Sequence, residues 1–460
     1  MVFTCDIGTS SVKAGIINKK GELLAHDSIP LKLNKHLSLN PNSWFNALVQ
    51  ALKSIDKKLL SGVEAVIVSG NGPTMVPVDN KGEPLGPALL WSEKPLHLKL
   101  PFDSKSFFLP KIYWLSRHKP EKYKKIKFFL SCPEYICFKL TGKAITALPC
   151  PAYAPYYWNK EEISKLSLEH HKFPPFISIK DPVGNLSKAS SKTLGLPSNI
   201  PILTGGPDFL MSLLGTGAIV PGKVNDREGS SEGINYCASR PVISKALRCF
   251  PGLTGDTYNI SAILPTAGRV LQWAKELFFP TNISYEAILK MASKVSPGAK
   301  DILFAHIFRK TWEHKKTKKW FSNLAISNKH TSIMHALVQG LVFAVRQIIE
   351  TIEEEGFLIK ELIVSGGLAK SPFINQLKAN ILGKSVLIPE IIDAELTGNA
   401  CLGFYYLGEY SSLIRAAESM VKIKKMMQPH FKEQARYDEI YKAYKELDNN
   451  SKKLDKDMDR

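Results

Sequence analysis

The sequence predicts an α/β chain organised as two domains, and three observations carry that expectation. Its 460 residues exceed what one ordinary core encloses, so two domains of roughly 200 residues or more are expected. Short β-rich apolar runs alternate with longer helical stretches, the pattern of sheet and helix layers rather than of a sandwich or bundle. Two different words also recur in the same order in each half. One is a pair of strands around a small hydroxyl-rich turn, "FTCDIGTSSVKAGII" and again "KVNDREGSSEGINYCA". The other is Ile-Val-Ser-Gly, inside "AVIVSGNG" and inside "ELIVSGGLAKS".

The elements follow in order. Phe3 to Asp6 and Val12 to Ile17 read as strands joined by the Gly-Thr-Ser-Ser turn, a hairpin. "GTGAIVPGKVN", residues 215 to 225, is punctuated by Gly and Pro and is the natural domain boundary. The second hairpin follows it, around Gly229-Ser230-Ser231. "HTSIMHALVQGLVFAVRQIIETIEEEG" is one long, mostly apolar helix and the expected spine of the second half. Beyond Gly367, Ser371 suits an N-cap and Pro372 the first helical position. Ile374, Leu377 and Ile381 share a face, and Gly383 ends the helix before the strand "SVLIPE". The last fifty or so residues turn polar and Lys-rich. The expected division is 1–220, 221–445 and a polar tail at 446–460.

Composition narrows the function classes. A hydrophobic fraction of 44% with 22% charged residues is globular rather than disordered. We read no apolar run of the roughly 18 to 20 residues that span a bilayer, and Asp6 stands where a signal peptide is apolar. A soluble, cytoplasmic protein is expected. The net charge of +19 is spread along the chain, with modest clusters at Lys122 to Lys127, at "HKKTKK" and at "KIKK", and Tyr123 is the one aromatic inside them. That argues for a Lys-rich surface, or attraction of anionic substrates, over a nucleic-acid partner. Cys5, Cys132, Cys137, Cys150, Cys237, Cys249 and Cys401 are scattered, with no C-x-x-C pair, and read as reduced thiols.

The turns carry the chemistry. Gly8 followed by Thr9 and Ser10 forms a tight turn whose amides and hydroxyls suit a phosphate. Asp6 is placed to orient a magnesium ion or its waters, and Lys13 to offset phosphate charge. An ordinary hairpin with a polar loop is the alternative for a lone turn of this kind. The second turn and Gly366-Gly367 weigh against it.

"DIGTSSVKAG" resembles the first phosphate motif of the actin-like ATPase superfamily. The wider pattern resembles the FGGY family of carbohydrate kinases, xylulokinases in particular. The stretches that carry it are "PKIYWLSRHKPEKY" with "EYICFKLTG", "PILTGGPDFLMSLLGTGAIVPGKV", "GSSEG", and "IVSGGLAKSPFINQLKANILGKSVLIPE" followed by "AELTGNACLG". The resemblance runs from Val2 to about Tyr444. It implies two actin-like (ribonuclease H-like) domains, each a mixed central sheet flanked by helices, with an interdomain cleft. Sugar would bind mainly on the first and ATP on the second.

Asp208 in "GGPDF" then matches the general base, with a helix cap as its alternative. Gly8, Thr9, Ser10, Lys13, Gly229, Ser230, Ser231, Gly268, Gly366 and Gly367 would serve ATP and its phosphates. Asn71, Asp208 and Phe209 would face the sugar, and Asp6 the magnesium. Ala394, Gly398 and Ala400 would let their helix pack close to the sheet beneath it. The expected partners are a sugar or polyol and ATP, with neither nucleic acid nor membrane, and a homodimer is left open.

The sugar side departs from the family pattern. "FAHIFRKTWEHKKTKKW" stands where a Gly-Glu-Arg-x-Pro loop is usual, and "NGPT" replaces Gln-Met-His-Gly, which puts Pro73 in the place of a histidine. "WSEKP" carries Glu93 for Asp and Pro95 for Arg, and Phe209 replaces Asn or Gln. Two readings follow: an ATP-dependent kinase of a ketose or polyol, xylulose by default, or a non-catalytic nucleotide-binding member acting as sensor or scaffold.

Overall fold

Strands that are buried on both faces and strands that are buried on one are told apart by their sequences here, and the sheets sort them accordingly. The computed structural model describes residues 1–31, 38–91, 99–305 and 321–458. It forms two compact units. One comprises Met1–Ile219, Pro251–Thr257 and Asp393–Lys422, the other Val220–Phe250, Tyr258–Ile392 and Ile423–Arg460. The chain first leaves unit 1 at Ile219, inside the Gly- and Pro-punctuated stretch. The partition otherwise differs from the contiguous spans 1–220, 221–445 and 446–460. Asp393–Lys422 returns to unit 1 because its apolar helix is buried against the first sheet, and residues 446–458 continue the helix Phe431–Met458 instead of standing apart as a tail.

The sheet of unit 1 contains β1 (Val2–Ile7), β2 (Ser11–Ile17), β3 (Leu23–Pro30), β4 (Ala65–Gly70), β5 (Gly184–Asn185) and β6 (Pro201–Pro207), in the order β3-β2-β1-β4-β6-β5. β1 runs antiparallel to β2 and parallel to β4, and β4 is parallel to β6. Every residue of β1 and β4 is buried, as their near-continuous apolar sequences require. β3 lies at the edge and alternates half-buried with exposed residues, which is why its sequence mixes Leu and Ile with His, Asp and Ser.

The sheet of unit 2 contains β7 (Val224–Glu228), β8 (Glu232–Ala238), β9 (Arg248–Pro251), β10 (Tyr258–Leu264), β11 (Glu361–Gly366), β12 (Ser385–Pro389) and β13 (Ile423–Met427), in the order β9-β10-β8-β7-β11-β12-β13. Its centre repeats the first sheet. β7 is antiparallel to β8 and parallel to β11, as β1 is to β2 and β4. Registers agree as well: Asp6 pairs with Ser69, and Arg227 with Ser365. The two Ile-Val-Ser-Gly words thus occupy equivalent strands.

The helix His330–Glu354 is the spine of unit 2. Leu337, Leu341, Ala344 and Ile348 line one face at helical spacing, yet burial extends nearly all round from Ser332 to Val345. This corrects the expectation that no segment suffices to span a bilayer. By length and composition this helix would, and 89% of its apolar window is instead buried in the protein. In unit 1 the helices Asp208–Gly215 and Ala394–Tyr406 cross closely on glycines. A Cβ on Gly215 would lie 1.8 Å from the Ala394 carbonyl oxygen, and one on Gly398 1.9 Å from that of Met211.

Candidate active site

In an open α/β sheet, side chains at the carboxyl ends of parallel strands face outward together. β1, β4 and β6 end on Asp6-Ile7, Gly70 and Pro207, so Asp6, Asn71 and Asp208 gather at one end of the first sheet. Asp6 is buried, and its Oδ1 accepts a bond from Ser69 Oγ at 2.9 Å. Asp208 is the first residue of its helix and half-buried, with Pro207 in the cap position. The cap reading of Asp208 is therefore not what its position offers. Phe209 beside it is also half-buried. Burial pushes the Cys132 thiol far up, and the charges of Asp208 and Asp6 push it further, so both carboxylates act on one sulfur.

The turn after β1 is closed by its glycine. Gly8 N–H donates to the Ser11 carbonyl at 3.0 Å, and a Cβ there would stand 2.6 Å from that oxygen. Trp44 Nε1 donates to the Gly8 carbonyl at 3.1 Å and braces the turn from the helix Asn42–Lys53. Thr9 is half-buried and Ser10 exposed. Lys13 does not stand apart: its Nζ binds Asp393 Oδ1 at 2.7 Å, with Glu395 3.9 Å away. Burial opposes its charge, but the carboxylates of Glu395, Asp393 and Asp6 outweigh burial and hold the ammonium above the usual lysine range.

Asn71 is spent inside the protein. Its Nδ2 donates to the Ile7 carbonyl at 2.9 Å and its Oδ1 accepts from Thr74 Oγ1. The amide closes the space between the ends of β1 and β4, so its expected sugar contact is reduced to what remains of that group. Glu93 and Pro95 lie outside the described residues, as does 306–320, which holds most of the stretch in place of the Gly-Glu-Arg-x-Pro loop.

Unit 2 brings together the nucleotide-side residues. Gly229 N–H donates to the Ser231 carbonyl at 2.8 Å, leaving Gly229 and Ser230 exposed at the tip. Gly268, at the start of the helix Ala267–Phe278, abuts this loop, where a Cβ would lie 2.3 Å from the Gly229 carbonyl oxygen. Gly366 has φ of +92°, and a Cβ there would come within 2.0 Å of the Glu228 carbonyl oxygen, so only glycine fits. Gly367 N–H donates to that same oxygen at 3.0 Å, while its Cα faces open space. The stretch "AELTGNACLG", expected within 221–445, belongs instead to unit 1, where Asn399 Nδ2 donates to Ser69 Oγ at 2.9 Å and to the Cys5 carbonyl at 3.0 Å.

The comparisons with known proteins decide the family. Residues 1–95 and 103–215 match the model of the FGGY family of carbohydrate kinases, N-terminal domain, and residues 229–407 that of its C-terminal domain. The chain belongs to the FGGY family of carbohydrate kinases. Xylulose kinase of Staphylococcus epidermidis is 25% identical over 492 residues, covering 100% of this chain and 98% of the relative. That of Bacillus subtilis is 24% identical, covering 98% and 97%. The crystal structure of ligand-bound xylulose kinase from Lactobacillus acidophilus superposes with a TM-score of 0.80 at 19% identity, covering 98% of each chain, a likeness of fold. This carbohydrate kinase thus has the two helix-flanked mixed sheets of its family and acts as an ATP-dependent sugar kinase.

Two features of the kinase escaped the sequence reading. Lys111 is fully buried and its Nζ donates to the carbonyls of Pro73 at 2.8 Å and Leu90 at 2.9 Å, tying "NGPT" to the residue just before Trp91. Lys378 is buried among Asp226, Glu228 and Glu232. A signal for the second was present: Lys378 stands on the inward face set by Ile374, Leu377 and Ile381.

Proposed function

We propose that this carbohydrate kinase transfers the γ-phosphate of ATP to a hydroxyl of a ketose or polyol, with xylulose the first candidate. The observation that carries the reading is Asp208, a half-buried carboxylate opening a helix at the end of β6, at the same end of the first sheet as Asp6. Similarity along the whole chain to xylulose kinases supports the choice of acceptor. A sugar hydroxyl is a weak nucleophile until its proton has somewhere to go, and Asp208 would accept that proton as the phosphoryl group moves.

Asp6 fits a magnesium ion brought with the nucleotide, since it offers hard carboxylate oxygen and is oriented by Ser69. Bound there, the metal would neutralise phosphate charge. Ser230 and Ser231, with Gly367, would contact the phosphates and nucleotide. Seven cysteines, none of them in a disulfide, favour a reducing, cytoplasmic setting.

The test is ADP release in the presence of MgATP, measured across pentuloses, hexuloses, aldoses, polyols and aldonates. Turnover of a ketose or polyol is expected. Turnover confined to another class refutes the acceptor, and none at all refutes the kinase activity and favours a non-catalytic role.

A further inference from the structure

A group of four buried charged residues lies beside the Gly229-Ser230-Ser231 turn. Lys378 Nζ donates to Glu228 Oε1 at 2.5 Å, to Glu232 Oε1 at 2.6 Å and to Asp226 Oδ2, and each of the four side chains is at most 3% exposed. One ammonium cannot balance three carboxylates. Burial pushes the Glu228 carboxyl up to about 7 against the pull of Lys378, and holds that of Glu232 well above the ordinary carboxylate range. Among the described residues, Asp226 Oδ1 and Glu228 Oε2 have no hydrogen-bond partner. Well-packed apolar residues would stabilise such a position at least as well, so stability is a weak reason for the group to be there.

Its geometry supplies a better one. Glu228 ends β7, Glu232 begins β8, and the two pair directly in register across the turn. The ammonium therefore grips both strand ends that carry Gly229, Ser230 and Ser231. Glu228 is also held through its backbone, because its carbonyl accepts from Gly367 N–H and leaves no room for a side chain at Gly366. Lys378 lies on the helix Pro372–Leu382, which follows that Gly-Gly turn. The carboxylates of Asp226, Glu228 and Glu232 are close enough to hold a cation, but Lys378 already occupies their centre.

We infer that Lys378 is a positioning residue for nucleotide binding: its ammonium sets the separation of the two strand ends at the Gly229-Ser230-Ser231 turn and locks that turn to Gly366-Gly367. The inference rests on the nucleotide role proposed for these turns. Charge suits the task because three short, directional bonds from one rigidly held ammonium fix strand ends more sharply than apolar packing does.

The test titrates the full-length protein with MgADP by calorimetry, below the unfolding transition of each variant, and measures KM for ATP and for the sugar. Lys378→Met should weaken MgADP about tenfold or more, near 1.4 kcal/mol, and raise KM for ATP in step while leaving KM for the sugar within about twofold. Glu232→Gln keeps an oxygen for the ammonium and should bind MgADP nearly as the unmutated protein does. Glu232→Ala should lose affinity as Lys378→Met does. That pair carries the test if Lys378→Met fails to fold. Unchanged MgADP affinity in the folded Lys378→Met and Glu232→Ala proteins overturns the inference, as does an equal loss of sugar and nucleotide. Absence of MgADP binding by the unmutated protein overturns the inference together with the proposed function.

Discussion

Asn399 Nδ2 donates to Ser69 Oγ at 2.9 Å, although 330 residues separate the two in the chain. Ser69 passes the bond on, donating to Asp6 Oδ1 at 2.9 Å, and the Asn399 amide also reaches the Cys5 carbonyl at 3.0 Å. A helix from the far end of the sequence thus fixes the rotamer of Asp6, the carboxylate proposed for magnesium. The same helix crosses the one that begins with Asp208, so two candidate carboxylates share one support.

Asp208→Asn should lower turnover by about 10² to 10⁴, the usual contribution of a positioned base. MgADP affinity and the unfolding temperature should stay near those of the unmutated protein, because Asp208 stands one residue past the cap position, which Pro207 holds, and Asn keeps the shape of Asp. Turnover kinetics beside a nucleotide titration separate these effects, and persisting turnover would leave Asp208 a structural residue.

Lys111→Met should strip the buried carbonyls of Pro73 and Leu90 of a charged donor. The expected cost is about 2 to 4 kcal/mol in a urea unfolding series, from two acceptors at roughly 1 to 3 kcal/mol each with partial relaxation. In protein that still folds, KM for the sugar should rise while KM for ATP holds, since both loops belong to unit 1. Parallel changes in the two constants would count against a sugar-side role.

Gly398→Ala reverses an ordinary expectation. In an exposed helix interior the change stabilises by up to about 1 kcal/mol. Here the new Cβ would stand 1.9 Å from the Met211 carbonyl oxygen, so the two helices must part. A loss of roughly 1 to 3 kcal/mol is expected from overpacking, read as a lower unfolding midpoint.

Glu134 gives a pH dependence of known sign. Burial raises its carboxyl from the ordinary range to about 7, against bonds donated by the backbone N–H groups of Ser131 and Ala147. The folded state therefore binds this proton more tightly than the unfolded one. Its contribution favours folding below the unfolded value near 4.3, declines as pH rises toward about 7, and stays lost above that. Glu134→Gln does not titrate. Between pH 4 and 8 its stability relative to the unmutated protein should improve by up to about 3 kcal/mol. Denaturant midpoints that keep a constant difference across that range would show that Glu134 is ionised in the fold.

Local pattern made much of this protein legible. The helix Pro372–Leu382 starts on Ser371, whose Oγ accepts from Ile374 N–H, and stops at Gly383 with φ of +64°, because capping and left-handed backbone depend on neighbours a few residues away. The hairpins and the Ile-Val-Ser-Gly strands were readable for the same reason, and the repeated words correctly announced a repeated set of strand pairings.

Only the tertiary structure decided what those elements meet. Lys13 looked available to phosphate until Asp393 appeared 2.7 Å from it, and Asn71 looked available to sugar until its amide proved to bridge strand ends. "AELTGNACLG" read as part of the second half, yet it completes the first. Lys111 and Lys378 were hidden because lysine is by default a surface residue, and a buried one is betrayed only by the oxygens that surround it. The sequence by itself determined the strands, the turns and the family of the chain. Which charge balances which, and which residue is left to face a ligand, depends on partners tens to hundreds of residues away, and only the folded chain brings these together.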